Sequence, residues 1–94
     1  MNQTEIEQAL IKAVCQTQES SGRDLINVTA ETRPIGDLPG FDSLNGVETT
    51  VEAIAYIKRD LPFNNVFVAE NKAKALTIRE AARRLLSFLN GNRQ

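Results

Sequence analysis

Apolar residues recur at helical spacing in three stretches of the chain. Ile6, Leu10, Ala13 and Val14 fall on one face of a helix predicted from about Thr4 to Glu19. Thr4 and Glu7 form a candidate capping box at its start, and Ser20-Ser21-Gly22 breaks it. Leu44, Val47, Val51, Ile54 and Ala55 form the apolar stripe of a second helix that begins at Asp42-Ser43 and runs to Leu61-Pro62. Asn45-Gly46 is a turn dipeptide and Thr49, Thr50 and Val51 are β-branched, but the residues beyond do not alternate as a strand requires. Ile78, Ala81, Ala82, Leu85 and Leu89 line the last helix, which Thr77 and Glu80 cap and Asn90-Gly91 stops. A shorter helix is predicted at about Ala69 to Ala75.

Between the first two helices, residues 20–42 show no sustained period. Arg33-Pro34 and Leu38-Pro39 push the residues before each proline out of the helical region. Leu25, Ile26, Val28, Ile35 and Leu38 are placed to pin this loop onto a core, with room for one short helical turn. Pro39-Gly40 suits a type II turn, because proline presets the first central residue and glycine accepts positive φ at the second. The expected architecture is all-α: a small four-helix bundle of three longer helices and one short third helix, with a long first loop. A length of 94 residues fits one domain spanning 1–94, and a domain of that size buries about two-thirds of its unfolded surface.

Composition removes several function classes. There is no His and one Cys, so neither a His/Cys zinc site nor a His-based catalytic dyad is available. Cys15 has no partner for an internal disulfide, which fits a reducing, cytoplasmic setting. It also lacks a His to activate it; Lys12 is the nearest base along its helix, and a packing role is the plain expectation. No apolar run approaches the roughly 18 residues of a membrane span, and the acidic, polar N-terminal stretch does not read as a signal peptide.

The net charge of −1 conceals an asymmetry. Residues 1–57 carry nine acids and three bases; residues 58–94 carry three acids and eight bases. Lys72, Lys74, Arg79, Arg83 and Arg84 therefore suggest a basic face. Nucleic-acid binding is not expected from it: Thr77–Leu86 resembles the first helix of a helix-turn-helix, but no recognition helix is readable after it. The pairs Glu5/Glu7 and Glu48/Glu52 meet no second polar cluster, so no metal or acid–base site is predicted.

The residue that remains is Ser43. Asp42 and Ser43 are both good N-cap types, and the plain alternative is that either only caps a helix. A hydroxyl held at a helix start is also exposed, and a phosphate attached to it would meet free backbone N–H groups and the positive end of the macrodipole. With no base beside it, Ser43 is an acceptor of chemistry rather than its agent.

Asp42-Ser43-Leu44, preceded by Asp37-Leu38-Pro39-Gly40-Phe41 and followed by Val47-Glu48, resembles the prosthetic-group site of acyl carrier proteins. The resemblance extends over nearly the whole chain, from the first helix through the long loop to the Thr77-Ile78 start of the last. It implies that a phosphopantetheinyl transferase, using Mg²⁺ and coenzyme A, attaches 4′-phosphopantetheine to Ser43. The thiol of that arm then holds acyl groups for ketosynthase, ligase or other acyl-transferring enzymes. By the same resemblance Asp42, Leu44, Val47 and Glu48 dock partner enzymes. Val51, Ile54 and Phe67, with Val47, line an acyl groove, and the carrier is a monomer. Asn45, Lys58-Arg59, Lys72 and Lys74 depart from the acidic pattern of fatty-acid carriers. Because docking charge selects partners, the expectation is a specialised carrier for a modified lipid, polyketide or small acyl metabolite. The alternatives are a peptidyl or D-alanyl-type carrier loaded by an adenylating ligase, and a helical interaction module with no prosthetic group.

Overall fold

The first helix opens one residue earlier than its apolar spacing suggests. In the computed structural model, which describes residues 1–23, 27–69 and 74–90, α1 runs Gln3–Ser20. Its capping box is Asn2 with Glu5 rather than Thr4 with Glu7. The Asn2 side chain accepts from the Glu5 N–H and the Glu5 carboxylate accepts from the Asn2 N–H, each at 2.8 Å. Ile6, Leu10, Ala13 and Val14 are fully buried, as their spacing predicts, and Thr17 and Gln18 extend that face. Gly22, at φ 71°, ends the helix in a Schellman motif: the Arg23 N–H reaches the Gln18 carbonyl and the Gly22 N–H the Glu19 carbonyl.

The long connection is ordered by what it gives to the last helix. The carbonyls of Thr32 and Ala30 accept from the N–H groups of Ile78 and Arg79 at 2.9 and 2.8 Å, taking up two donors that a helix start leaves open. The Arg33 guanidinium donates to the Ala75 carbonyl at 3.0 Å. Leu38 is buried, and Val28 and Ile35 pack on the core; Leu25 and Ile26 lie outside the described residues. The short helix of the fold, α2 (Pro34–Asp37), is one turn within this loop, with non-helical angles at Ile35 and Gly36. Pro39 and Gly40 (φ 69°) then make the predicted turn, closed by the Phe41 N–H on the Leu38 carbonyl.

The second long helix, α3, spans Ser43–Ile57 and ends at Lys58, which takes a left-handed conformation at φ 63°. Its last turn therefore stops short of Leu61-Pro62. The face it buries is polar and small: Asn45, Gly46, Thr49, Thr50 and Ala53 are buried, with Ile57 below them. The apolar stripe lies on the other side. Leu44 and Val51 are 65% and 62% exposed, Val47 is partly exposed, Ile54 is half-buried and Ala55 is exposed. Buried hydroxyls are tolerated because each is satisfied. The Thr17 and Thr49 hydroxyls share a 2.6 Å hydrogen bond between α1 and α3, and the Thr50 hydroxyl donates to the Gly46 carbonyl while accepting from the Val66 N–H.

No helix forms among the described residues between α3 and the last helix; most of the short helix expected at Ala69–Ala75 lies outside the described residues. Val68 and Ala75 instead face each other as an isolated antiparallel bridge, flanked by Ala69 N–H to Lys74 carbonyl (2.9 Å) and Leu76 N–H to Phe67 carbonyl (2.8 Å). These amides bond across the two arms rather than along one; residues 70–73 lie outside the described residues. Among the described residues there are three long helices and one short one, and that short one precedes α3.

The last helix, α4 (Ile78–Leu89), has the predicted Thr77/Glu80 capping box and buries Ile78, Ala81, Ala82 and Leu85; Leu89 is half-buried. Asn90 is its C-cap, and Gly91 lies outside the described residues. α1 packs against both α3 and α4. Phe67, fully buried, meets Phe41 edge-to-face at 6.1 Å in the core between them. The result is a small all-α bundle. Among the described residues no helix is long and apolar enough to cross a membrane.

Candidate functional site

Two residues at the start of α3 compete to cap it, and the geometry separates their roles. Asp42 is the N-cap: its carboxylate accepts from the Asn45 N–H at 3.0 Å, and the Asn45 side-chain oxygen accepts from the Asp42 N–H at 3.2 Å. Ser43 is therefore the first residue of the helix, exposed, and its hydroxyl makes no hydrogen bond among the described residues. The N–H groups of Ser43 and Leu44 likewise find no acceptor there, as expected for the opening turn of a helix. The site thus presents an uncommitted hydroxyl beside two open donors and the positive end of the α3 dipole.

The turn behind Ser43 is held from three directions. Gln18, only 1% exposed, donates from its side chain to the Pro39 carbonyl at 2.9 Å. Arg23 donates to the side-chain oxygens of Gln18 (3.3 Å) and Asn45 (3.1 Å) and lies across Gly40, where a Cβ would stand 2.7 Å from its Nε. On the other side, Asn65 donates to the Ser43 carbonyl at 3.0 Å and accepts from the Phe67 N–H at 3.0 Å. A Cβ on Gly46 would lie 2.5–2.8 Å from the Asn65 amide, so the glycine is what lets Asn65 approach α3.

The remaining predicted residues divide between two places. Leu44, Val47 and Val51 form an exposed strip running from Ser43 along α3. Glu48 accepts from the Asn45 side chain at 3.2 Å, and with Glu52 it lines a cleft against Gln16, Thr17, Ser20 and Ser21 of α1 and its cap. Val51, Ile54 and Phe67 do not share a surface groove: Val51 points outward while Phe67 has no exposed surface. The inward turn of the Thr49/Thr50 face sends Val51 to the outside, and Phe67 is drawn in against Phe41.

Cys15 is half-buried on α1, and burial, helped by the charge of Glu19, pushes its thiol up, away from the reactive thiolate. Three of the basic residues have contacts of their own. Arg79 pairs with Glu31 at 3.1 Å, Lys74 with Glu80 at 3.7 Å, and Arg84 donates to the Val68 carbonyl at 2.7 Å. Lys72 lies outside the described residues. No cluster of potential metal ligands is present among the described residues.

Gln18, Arg23 and Asn65 were not singled out by the sequence. They are isolated polar residues whose partners around the turn lie 5 to 22 positions away. The one visible signal was Asn45-Gly46, and its use is not a hairpin: Asn45 completes the cap and Gly46 admits Asn65. Compared with known proteins, the chain matches no family model, no curated protein and no solved structure.

Proposed function

We propose that this protein is an acyl carrier whose Ser43 hydroxyl bears 4′-phosphopantetheine. The observation that carries the reading is the division of labour at the start of α3: Asp42 caps the helix and leaves Ser43 exposed and unbonded. A phosphodiester fits there, since the adjacent amides and helix dipole favour an anion.

In the loading step the Ser43 oxygen forms a bond to the β-phosphorus of coenzyme A. The pyrophosphate bridge breaks, adenosine 3′,5′-bisphosphate leaves, and the serine proton passes to the transferase or solvent. This chain supplies no base, so a phosphopantetheinyl transferase with Mg²⁺ must do so. The bound arm then supplies a terminal thiol that holds acyl groups as thioesters. The chain's own part is to present and to dock. Asn65 and the Gln18–Arg23–Asn45 network fix the turn, and Leu44, Val47 and Val51 offer an apolar strip with Glu48 and Glu52 beside it. Such a strip favours acyl-transferring, ketosynthase or ligase enzymes with an apolar socket and a basic rim. Lys58, Arg59 and Lys74 place positive charge beyond it, which favours a dedicated pathway over bulk fatty-acid synthesis.

Incubation with a promiscuous phosphopantetheinyl transferase, Mg²⁺ and a fluorescent coenzyme A analogue tests the reading. The wild-type chain is expected to label and Ser43→Ala to stay dark with an unchanged helical CD spectrum. Absence of label on folded wild-type protein that starts without the arm would favour an interaction module in which the α3 start is only a cap.

A further inference from the structure

Arg84 is a half-buried cation whose charge the described residues do not answer. One of its N–H groups donates to the Val68 carbonyl at 2.7 Å, and its guanidinium lies 4.2 Å from the centre of the Phe63 ring. No carboxylate among the described residues lies within ion-pair distance of it. Glu80, one turn earlier on α4, is engaged elsewhere: its carboxyl is held below the usual range by the Thr77 N–H, and Lys74 and Arg33 add to that. A guanidinium carries five donors in a planar fork suited to a carboxylate, and Arg84 spends one of them on Val68.

That fork lines a groove of about 360 Å³ between α4 and the connection that follows α3, within the range of small-molecule sites. Phe63 and Val68 give it apolar walls, Asn64 and Asn65 contribute amides, and among the described residues Arg84 is the one charged residue lining it. A second groove, bounded by Phe88 and Leu76, adjoins it across Phe63 and Arg84. The first groove starts next to the candidate site, because Asn65 is the residue that donates to the Ser43 carbonyl. Val51 and Phe67 share no surface groove, whereas this groove borders Asn65, which braces the turn of Ser43.

We infer that this groove seats the cargo of the Ser43 arm, and that the cargo is a dicarboxylic acyl group whose free carboxylate pairs with Arg84. The inference rests on the carrier reading. A purely hydrocarbon chain would occupy the Phe63 and Val68 walls but leave the fork unused. Because the cargo is tethered, its effective concentration at the groove is on the order of millimolar, so one charge-assisted contact suffices to populate the seated state.

The test compares two acyl forms that differ in the terminal charge. A promiscuous transferase loads the chain from succinyl-coenzyme A or from butyryl-coenzyme A, and intact mass confirms equal loading. Two-dimensional NMR then reads the Arg84 Nε–Hε signal and the backbone amides of 63–68, and thermal unfolding is followed by CD. The succinyl form is expected to shift the Arg84 signal and those amides and to raise Tm by several degrees over the butyryl form, with the difference shrinking at high salt. Arg84→Gln is expected to erase the difference, and Arg84→Lys, which keeps charge without the fork, to retain a fraction of it. The wild-type comparison stands even if a variant fails to fold. Indistinguishable succinyl and butyryl forms would overturn this inference and leave the carrier reading intact; so would a difference that survives in folded Arg84→Gln. Failure of Ser43 to accept either arm would overturn both.

Discussion

The approach of Asn65 to Gly46 makes a sign-reversing prediction. In isolation, Gly→Ala within a helix stabilises by about 1 kcal/mol, since alanine loses less backbone entropy. Here the new Cβ would stand 2.5 Å from the Asn65 Nδ2 and 2.6 Å from its Oδ1, closer than atoms pack. Asn65 can relieve the clash only by swinging away, which breaks its bonds to the Ser43 carbonyl and the Phe67 N–H. At about 1 kcal/mol each, the two lost bonds cost about 2 kcal/mol. Gly46→Ala is therefore expected to destabilise by about 1 kcal/mol net, a fall of about 4–8 °C in Tm for a domain of this size. In an Asn65→Ala background the clash is gone and only the helix gain remains. The same substitution should then stabilise by up to about 1 kcal/mol. Urea unfolding of the four proteins, monitored by CD at constant m-value, gives the cycle. A stabilising effect of Gly46→Ala in both backgrounds would refute the contact, and with it the claim that Asn65 braces the turn of Ser43.

The buried Thr17–Thr49 pair makes a second cycle: Thr17→Val and Thr49→Val should each cost about 1 kcal/mol by stranding a hydroxyl, while the double variant returns close to wild type. Additive losses in urea unfolding would show that the hydroxyls are not bonded. Val51→Asp places a charge on the outward strip and should change stability by no more than about 0.5 kcal/mol, while slowing acyl transfer to partner enzymes; a cooperative loss of structure would mean the strip faces the core. The Glu80 carboxyl is held low, so its charged form adds stability that is present above its unfolded pKa of about 4.3 and is lost as pH falls through its lower folded value. Glu80→Gln keeps a capping side chain but not the charge, and should lower stability by a few tenths of a kcal/mol at pH 7 and not at all at pH 2; an equal loss at both would remove the charge from the account.

What the sequence made legible is what neighbouring residues decide between themselves. The Ile6–Leu10–Val14 face, the Thr77/Glu80 box, the Pro39-Gly40 turn and the start of α3 at Asp42-Ser43 each depend on residues within one or two turns of one another. Hydrophobic spacing misleads on α3, where the stripe of Leu44, Val47 and Val51 looks outward. The inward face is made habitable by Thr17 and Val66, residues 32 and 16 positions from their partners. The pairing of Val68 with Ala75 was hidden for a similar reason: its short apolar run has no period, and a backbone hydrogen bond leaves no trace in side-chain pattern. Ser43 itself was legible by type and place, but its freedom was not, since only the geometry assigns the cap to Asp42. Asn65 and Arg23 were out of reach because a lone polar residue in a loop carries no signal of what it will meet.

The most direct test of the central claim is the intact mass of the folded chain before and after incubation with a phosphopantetheinyl transferase, Mg²⁺ and coenzyme A. The account predicts a gain of one phosphopantetheine, mapped to Ser43 and absent in Ser43→Ala. An unchanged mass with several transferases, on protein that carries no arm at the start, would contradict it.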